Sequence, residues 1–391
     1  MTDIAEARRI LDALVAFPTV SRDTNLPLVD WVEAYLAGHG ITAHRVWNAD
    51  RTKANLWCSA GPEVEGGIVL SGHSDVVPVE GQTWTTDPWR VTERGGRLYG
   101  RGTCDMKGFV ALALAAVPLA LEARVKRPLQ IALSIDEEIG CMACLPMVAD
   151  LAARAPRAAA VIVGEPSRMR VVTGHKGGLG FDTAIRGFPV HSSMMHRGVN
   201  AVMEAAKLIE WANAQNARNR AKPAAALAAA FDPPWTSVHV GQIKGGTAHN
   251  ITAEHCVFGL DFRVVPGESP EDWAGLWQAK VAAVEAAMKA VRPEAAITLT
   301  RLFDVPPLVP EAKGAAGGAA EALARAITGD NGTHVVSYGT EAGQFQKAGF
   351  STVICGPGDI AQAHQADEYL ELAEFEAGWR FMKSLVAGLA A

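Results

Sequence analysis

The sequence predicts an α/β fold interrupted by a second, α+β domain. Three observations predict it: residues up to about 176 alternate helical and strand periodicities, the pattern changes near Gly177, and the alternation returns after about Arg301. A chain of 391 residues exceeds what one core usually supports, which favours two domains. Hydrophobic residues make up 49% and charged residues 20%, with Gly and Pro scattered, so the chain reads as globular and not disordered.

Each element has its own signal. Ile4 to Phe17 has helical periodicity, Gly67 to Ser71 is a short apolar strand, and Phe109 to Leu121 is a helix. Leu129 to Ile135 and Ala160 to Val163 follow as strands. Two-residue alternation then appears in LGFDTAIRG, followed by a helix around Val199 to Ala212, strands near Ser237 to Ile243 and Cys256 to Val264, and a long helix from Pro270 to Val291. That order resembles a ferredoxin-like insert. A helix around Glu311 to Ile327, short strands at Val335 and Val353, and a helix from Tyr369 to Leu389 complete the chain. The expected organisation is a discontinuous domain of residues 1–176 and 302–391, interrupted by a domain of residues 177–301.

Composition removes several function classes. The net charge of −6 and the absence of a basic run argue against nucleic acid as a partner. The opening MTDIAEARRILDALVAF lacks the basic-then-apolar order of a secretory signal, so a cytoplasmic location is expected. The longest apolar stretch, Phe109 to Leu121, is too short to span a bilayer and contains Pro118; it reads as a buried helix, and no membrane partner is expected. The six Cys are spread widely, as free thiols of a reducing compartment would be. Cys141 and Cys144 form a CxxC without the second pair of a zinc knuckle. GRGTCDMKG lacks the third glycine of a dinucleotide fingerprint, and no GxxxxGK[ST] occurs.

The chemistry gathers at predicted strand ends, where open α/β sheets collect ligands. In SGHSDVVPV, His73 and Asp75 lie two apart and face one side of an extended backbone, so Asp75 could accept the imidazole N–H and fix the tautomer that binds metal. Asp105 lies between a glycine-rich turn and an apolar helix; alone it reads as an N-cap. Asp136, Glu137 and Glu138 directly follow the apolar LQIALSI, which is costly unless cations or protons compensate the like charges. A metal pair offers that compensation and leaves one carboxylate to serve as general base. Glu165 after VIVG repeats the strand-then-acid pattern, and His364 in QAHQADEY supplies a late imidazole.

Taken in order, SGHSD, GRGTCDMKG, DEE, GEPS and HQADEY resemble the aminoacylase/carboxypeptidase G/succinyl-diaminopimelate desuccinylase family of di-zinc hydrolases, in its acetylornithine deacetylase-like branch, over essentially the whole length. The resemblance implies a zinc-exopeptidase-like α/β/α catalytic domain and an inserted lid and dimerisation domain. It implies two Zn2+, with Co2+ as a substitute: Asp105 bridges both, His73 and Glu165 complete one site, and Glu138 and His364 the other. Glu137 is then the general base that takes a proton from water and passes it to the leaving amine, and the Asp105–Met106 peptide is cis.

In RGFPVHSSMMHRGVN, His191 matches the family histidine that reaches the active site of the partner subunit of a homodimer; His196 is a weaker candidate. Asn250 and Arg263 match substrate-binding positions, Arg263 being suited to a forked pair with an α-carboxylate. Their bland readings are a turn Asn and a surface Arg. In SYGTEAGQF, Glu341 could pair with a cationic side-chain amine, or merely begin a helix. The implied substrate is a small N-acyl-L-amino acid, N2-acetyl-L-ornithine, cleaved to L-ornithine and acetate in arginine biosynthesis. Alternatives are a dipeptidase, desuccinylase or general aminoacylase, and more remotely a non-catalytic binding protein of the same fold. A serine or cysteine hydrolase lacks its GxSxG elbow, and Cys104 beside Asp105 reads as packing in the turn.

Overall fold

A computed structural model of the chain describes residues 4–311 and 318–391. The described residues form two compact units, one running to Gly174 and resuming over Pro310–Val335 and Thr340–Ala391, the other comprising His175–Val309 and Val336–Gly339.

The first unit is built on an eight-stranded sheet. In spatial order its strands are Ala43–Trp47, Ala54–Ala60, Leu129–Ser134, Gly67–His73, Ala158–Pro166, Thr352–Gly356, Val172–His175 and His334–Val336. The third to sixth run parallel to one another, and antiparallel strands flank them. Parallel strands need both faces covered, and accordingly every residue of Gly67–His73 and Leu129–Ser134 is buried. The helix Lys107–Glu122 packs on this sheet and is itself covered by the helices Ile4–Val15 and Leu372–Ala390. Wrapped this way, it is apolar on nearly every face and tolerates Pro118 inside it.

The second unit follows a βαββαβ order: Gly177–Arg186, Ala201–Ala221, Ser237–Gly245, His255–Val264, Pro270–Val291 and Ala296–Val305. Its strands make one antiparallel sheet in which Gly177–Arg186 and His255–Val264 are central. Along His255–Val264, burial alternates from residue to residue, as expected where one face meets helices. Trp277, Phe258 and Phe262 anchor that unit's core.

Several boundaries differ from the sequence expectation for physical reasons. Ala296–Val305 is a strand that the periodicity did not announce; its pairing with Gly177–Arg186 carries the second unit on to Val309. Tyr369–Glu371 is a strand paired with Arg97–Tyr99, so the last helix begins at Leu372. The helix expected from Glu311 runs from Ala319 to Thr328, and residues 312–317 of that expectation lie outside the described residues. No described helix is long and apolar enough to cross a membrane.

One close approach fixes how the helix meets the sheet. A β-carbon added at Gly164 would stand 2.0 Å from Cγ of Phe109, so only glycine lets the ring lie on the strand. Gly164→Ala should therefore destabilise the protein by about 1–3 kcal/mol through overpacking. The denaturant midpoint checks this; an unchanged midpoint would show that Phe109 yields without cost.

Candidate active site

The parallel strands all deliver their C-terminal ends to one region, and the polar residues gathered there come from distant parts of the sequence. His73 ends the strand Gly67–His73, Glu137 and Glu138 lie in the turn after Leu129–Ser134, and Glu165 is near the end of Ala158–Pro166. Asp105 lies just before the helix Lys107–Glu122, with a cis Asp105–Met106 peptide. His364 follows the strand Thr352–Gly356 in a loop.

Asp105 is the centre of the cluster. Its Oδ1 lies 3.0 Å from His73 Nε2 and its Oδ2 3.2 Å from His364 Nε2. On the first side Glu165 Oε1 is 3.8 Å from His73 Nε2; on the second, Glu138 Oε2 is 2.9 Å from His364 Nε2. One carboxylate thus faces two imidazoles, each accompanied by its own glutamate. Ligand atoms within 4.8 Å of one another also group His73 with Glu137 and Glu165, and His73 with Asp105 and Glu138.

Burial makes this cluster electrostatically demanding. Glu165 is pushed well above the usual carboxylate range by burial and then by the neighbouring Asp105 charge; burial and Asp105 raise Glu138 likewise. Burial, and then the charge of Glu138, raise Glu137 against the pull of His73. Burial resists the charge on Asp105, yet hydrogen bonds from His364 and His73 hold it below the usual range. Burial lowers both imidazoles, His73 most of all, yet the same contacts raise both. Glu138 Oε1 and Glu165 Oε1 are buried without a hydrogen-bond partner, a situation that divalent cations would relieve. The donor set of imidazole and carboxylate fits zinc and related metals.

Surrounding groups fix the side chains and turns of the cluster. The nearest acceptor for His73 Nδ1 is the main-chain carbonyl of Asp75 at 2.9 Å, whereas the Asp75 carboxylate is 3.7 Å away. An Nδ1–H donated to that carbonyl leaves Nε2 free for a metal. The Asp75 carboxylate itself accepts from Ser21 Oγ at 2.7 Å and from the Glu137 and Glu138 amides at 3.2 and 3.4 Å, fixing the turn that carries the two glutamates. Asp136 turns aside to pair with buried Lys53. Glu368 accepts from the amides of Cys104 and Asp105 at 2.9 and 3.0 Å and pairs with Arg101 at 2.7 Å. Ser21, Lys53, Arg101 and Glu368 escaped the sequence reading; the acid in QAHQADEY was visible, but its partner lies 267 residues away.

The remaining candidates have their own local contacts. Glu341 is only 1% exposed, its Oε1 accepting from Ser71 Oγ at 2.6 Å and its Oε2 buried without a hydrogen-bond partner. In the second unit, His191 is exposed, with Nδ1 at 2.8 Å from Ser193 Oγ, and it bridges to Ile251 beside Asn250. His196 is exposed in the same short helical segment, Ser192–Arg197. Arg263 Nη2 pairs with Asp261 at 3.2 Å.

The chain is 35% identical over 390 residues to an acetylornithine deacetylase of Myxococcus xanthus, covering 96% of this chain and 95% of that protein. It is 32% identical over 373 residues to an acetylornithine deacetylase of Salmonella arizonae, covering 93% and 92%. Its fold is similar to that of an M20 family metallo-carboxypeptidase from Sulfolobus solfataricus, with a TM-score of 0.77, 17% identity and coverage of 98% and 99%. Residues 69–388 match the family described as Peptidase family M20/M25/M40, and that match contains every member of the carboxylate and imidazole cluster. This chain belongs to Peptidase family M20/M25/M40 and is a metal-dependent amidohydrolase.

Proposed function

We propose that this protein hydrolyses an N-acyl-L-amino acid, namely N2-acetyl-L-ornithine, to L-ornithine and acetate, as a cytoplasmic step of arginine biosynthesis. The carrying observation is Asp105, whose two oxygens face two imidazoles, each accompanied by a glutamate with an orphaned oxygen. The substrate reading is supported by the 35% and 32% identities to acetylornithine deacetylases over nearly the full length.

In this reading Asp105, His73 and Glu165 hold one zinc ion, and Asp105, His364 and Glu138 the other. When bound, the zinc pair polarises the scissile carbonyl and lets water ionise near neutral pH. Glu137, which contributes to neither nest, takes the proton of the attacking water and delivers it to the leaving amine. Asp75 orients His73 through its carbonyl and the Glu137 turn through its carboxylate. Arg263 and Asn250 bind the amino-acid portion, and His191 supplies a donor to the developing oxyanion of a partner subunit's substrate. Glu341, buried beside the His73 strand, contributes negative potential that favours a cationic side chain.

The deciding experiment measures hydrolysis of N-acetylornithine, N-acetylmethionine, succinyl-diaminopimelate and a simple dipeptide. N-acetylornithine should be preferred, chelation should abolish turnover, and zinc or cobalt should restore it. Preference for another substrate would reassign the protein to a dipeptidase, desuccinylase or general aminoacylase. Full activity without metal would end the reading altogether.

Variants of the adjacent glutamates separate their roles. Glu137→Gln should keep both metals and lose about 10²–10⁴-fold in kcat, because an amide cannot carry the proton. Glu138→Gln should instead weaken one metal site. Metal titration alongside rate measurements checks the pair, and identical behaviour of the two would overturn the assignment.

The assembly follows the same reading: a homodimer in which His191 acts across the interface. Mixing inactive Glu137→Gln and His191→Ala chains and allowing subunit exchange should restore part of the activity. One site of the mixed dimer then has both an intact base and an intact partner histidine. Proven exchange with activity unchanged from the parents would confine His191 to its own subunit.

A further inference from the structure

The carboxylate assigned above as the general base has one side-chain hydrogen-bond partner among the described residues, and that partner is a thiol. Cys141 Sγ lies 2.8 Å from Glu137 Oε1. The turn is shaped to bring this about. The amides of Gly140 and Cys141 both donate to the Glu137 carbonyl, at 2.9 and 3.0 Å, which folds the Cys141 side chain back over Glu137. Closing that turn takes Gly140 to a φ of 130° and Cys141 to 52°. Glycine would occupy the left-handed position at Cys141 with less strain, so a β-carbon here calls for a reason.

We propose that Cys141 is a positioning residue for the general base: its thiol donates to Oε1 of Glu137 and leaves Oε2 directed to the water proton, thereby raising turnover. The inference rests on the assignment of Glu137 as base. Glutamate has three rotatable side-chain bonds, and a misdirected base loses much of its advantage. A buried thiol suits the task. Cys141 is 4% exposed, and burial, then the charge of Glu137, hold it in the protonated, donating form. A thiol is a weak donor, so it orients the carboxylate with little loss of basicity. Cys144 has a different local contact, its Sγ reaching the Cys141 carbonyl at 3.1 Å.

The test compares metal-loaded full-length Cys141→Ala and Cys141→Ser with the parent enzyme, measuring kcat, KM, bound metal and far-UV circular dichroism. Alanine removes one heavy atom and makes the same backbone demand; serine keeps a donor. Cys141→Ala should lose about tenfold in kcat with KM within about twofold and both metals retained, whereas Cys141→Ser should stay within about threefold of the parent. The proposal is overturned if Cys141→Ala keeps the parent kcat, if serine falls as far as alanine, or if either variant loses metal or folded structure. Glu137→Gln run in parallel separates the two levels: if that variant is fully active, the base assignment itself is wrong. If it is inactive while Cys141→Ala is unimpaired, only the role of the thiol fails.

Discussion

The structure depends on keeping Asp105, Glu137, Glu138 and Glu165 close together in a buried place. Two carboxylates about 4 Å apart repel by roughly 4 kcal/mol at the effective dielectric of a partly buried pair, so the cluster cannot be held by its own contacts. Two imidazoles offset part of the repulsion, and the orphaned oxygens of Glu138 and Glu165 leave the remainder for cations. The fold resists relaxation by rigidity. The strands that carry His73 and Glu165 are hydrogen-bonded neighbours, and the helix after Asp105 is packed on the sheet. A close-packed interior does not let those backbones drift apart to relieve the charge.

Rigidity at the strand ends would still leave the connecting turns free, and here a second ring of polar contacts takes over. Glu368 gathers the Cys104 and Asp105 amides while its other oxygen meets Arg101, each of the charged pair being 1% exposed. Arg101 also donates to the carbonyl of Gln365, tying the loop of His364 to the turn of Asp105. Breaking such a buried pair by deleting one partner strands the other charge, at about 3–5 kcal/mol. On the opposite side Asp75 and the Lys53–Asp136 pair fix the turn of Glu137 and Glu138. The metal ligands are therefore set by residues that touch no metal in the proposed assignment.

This division explains what the sequence revealed. Strand-then-acid segments such as LQIALSIDEE and AVIVGEP were legible because hydrophobic runs and charges are local signals, and so was the long helix Pro270–Val291. Contacts between remote residues were not legible. Ser21 meets Asp75 over 54 residues and Arg101 meets Glu368 over 267, and no periodicity records either. The same limit applies to elements. Tyr369–Glu371 continues into a helical pattern, yet pairing with Arg97–Tyr99 draws it into a sheet, a tertiary contact that overrides local preference. Asp75 shows the limit most sharply: two-residue spacing located it beside His73 but could not reveal that its carbonyl, rather than its carboxylate, would stand nearest to Nδ1.

The proposed substrate contacts differ in kind from the metal ligands, and that difference bears on specificity. Arg263 is paired with Asp261, but their side chains are 40% and 29% exposed. An ion pair so open to solvent is worth about 0–1 kcal/mol, so an incoming α-carboxylate could displace Asp261 at little cost and use the planar guanidinium itself. Glu341 is the opposite case. Burial raises its affinity for a proton, and its hydrogen bond from Ser71 fixes it in place. Its influence on a cationic side chain would therefore vary with its ionisation, being strongest when the carboxylate is charged. In the proposed reaction, recognition of the amino-acid carboxylate comes from an exchangeable surface pair, while preference for the side chain comes from a fixed internal charge. The first would be shared by many acyl amino acids, and only the second would distinguish ornithine from an apolar competitor.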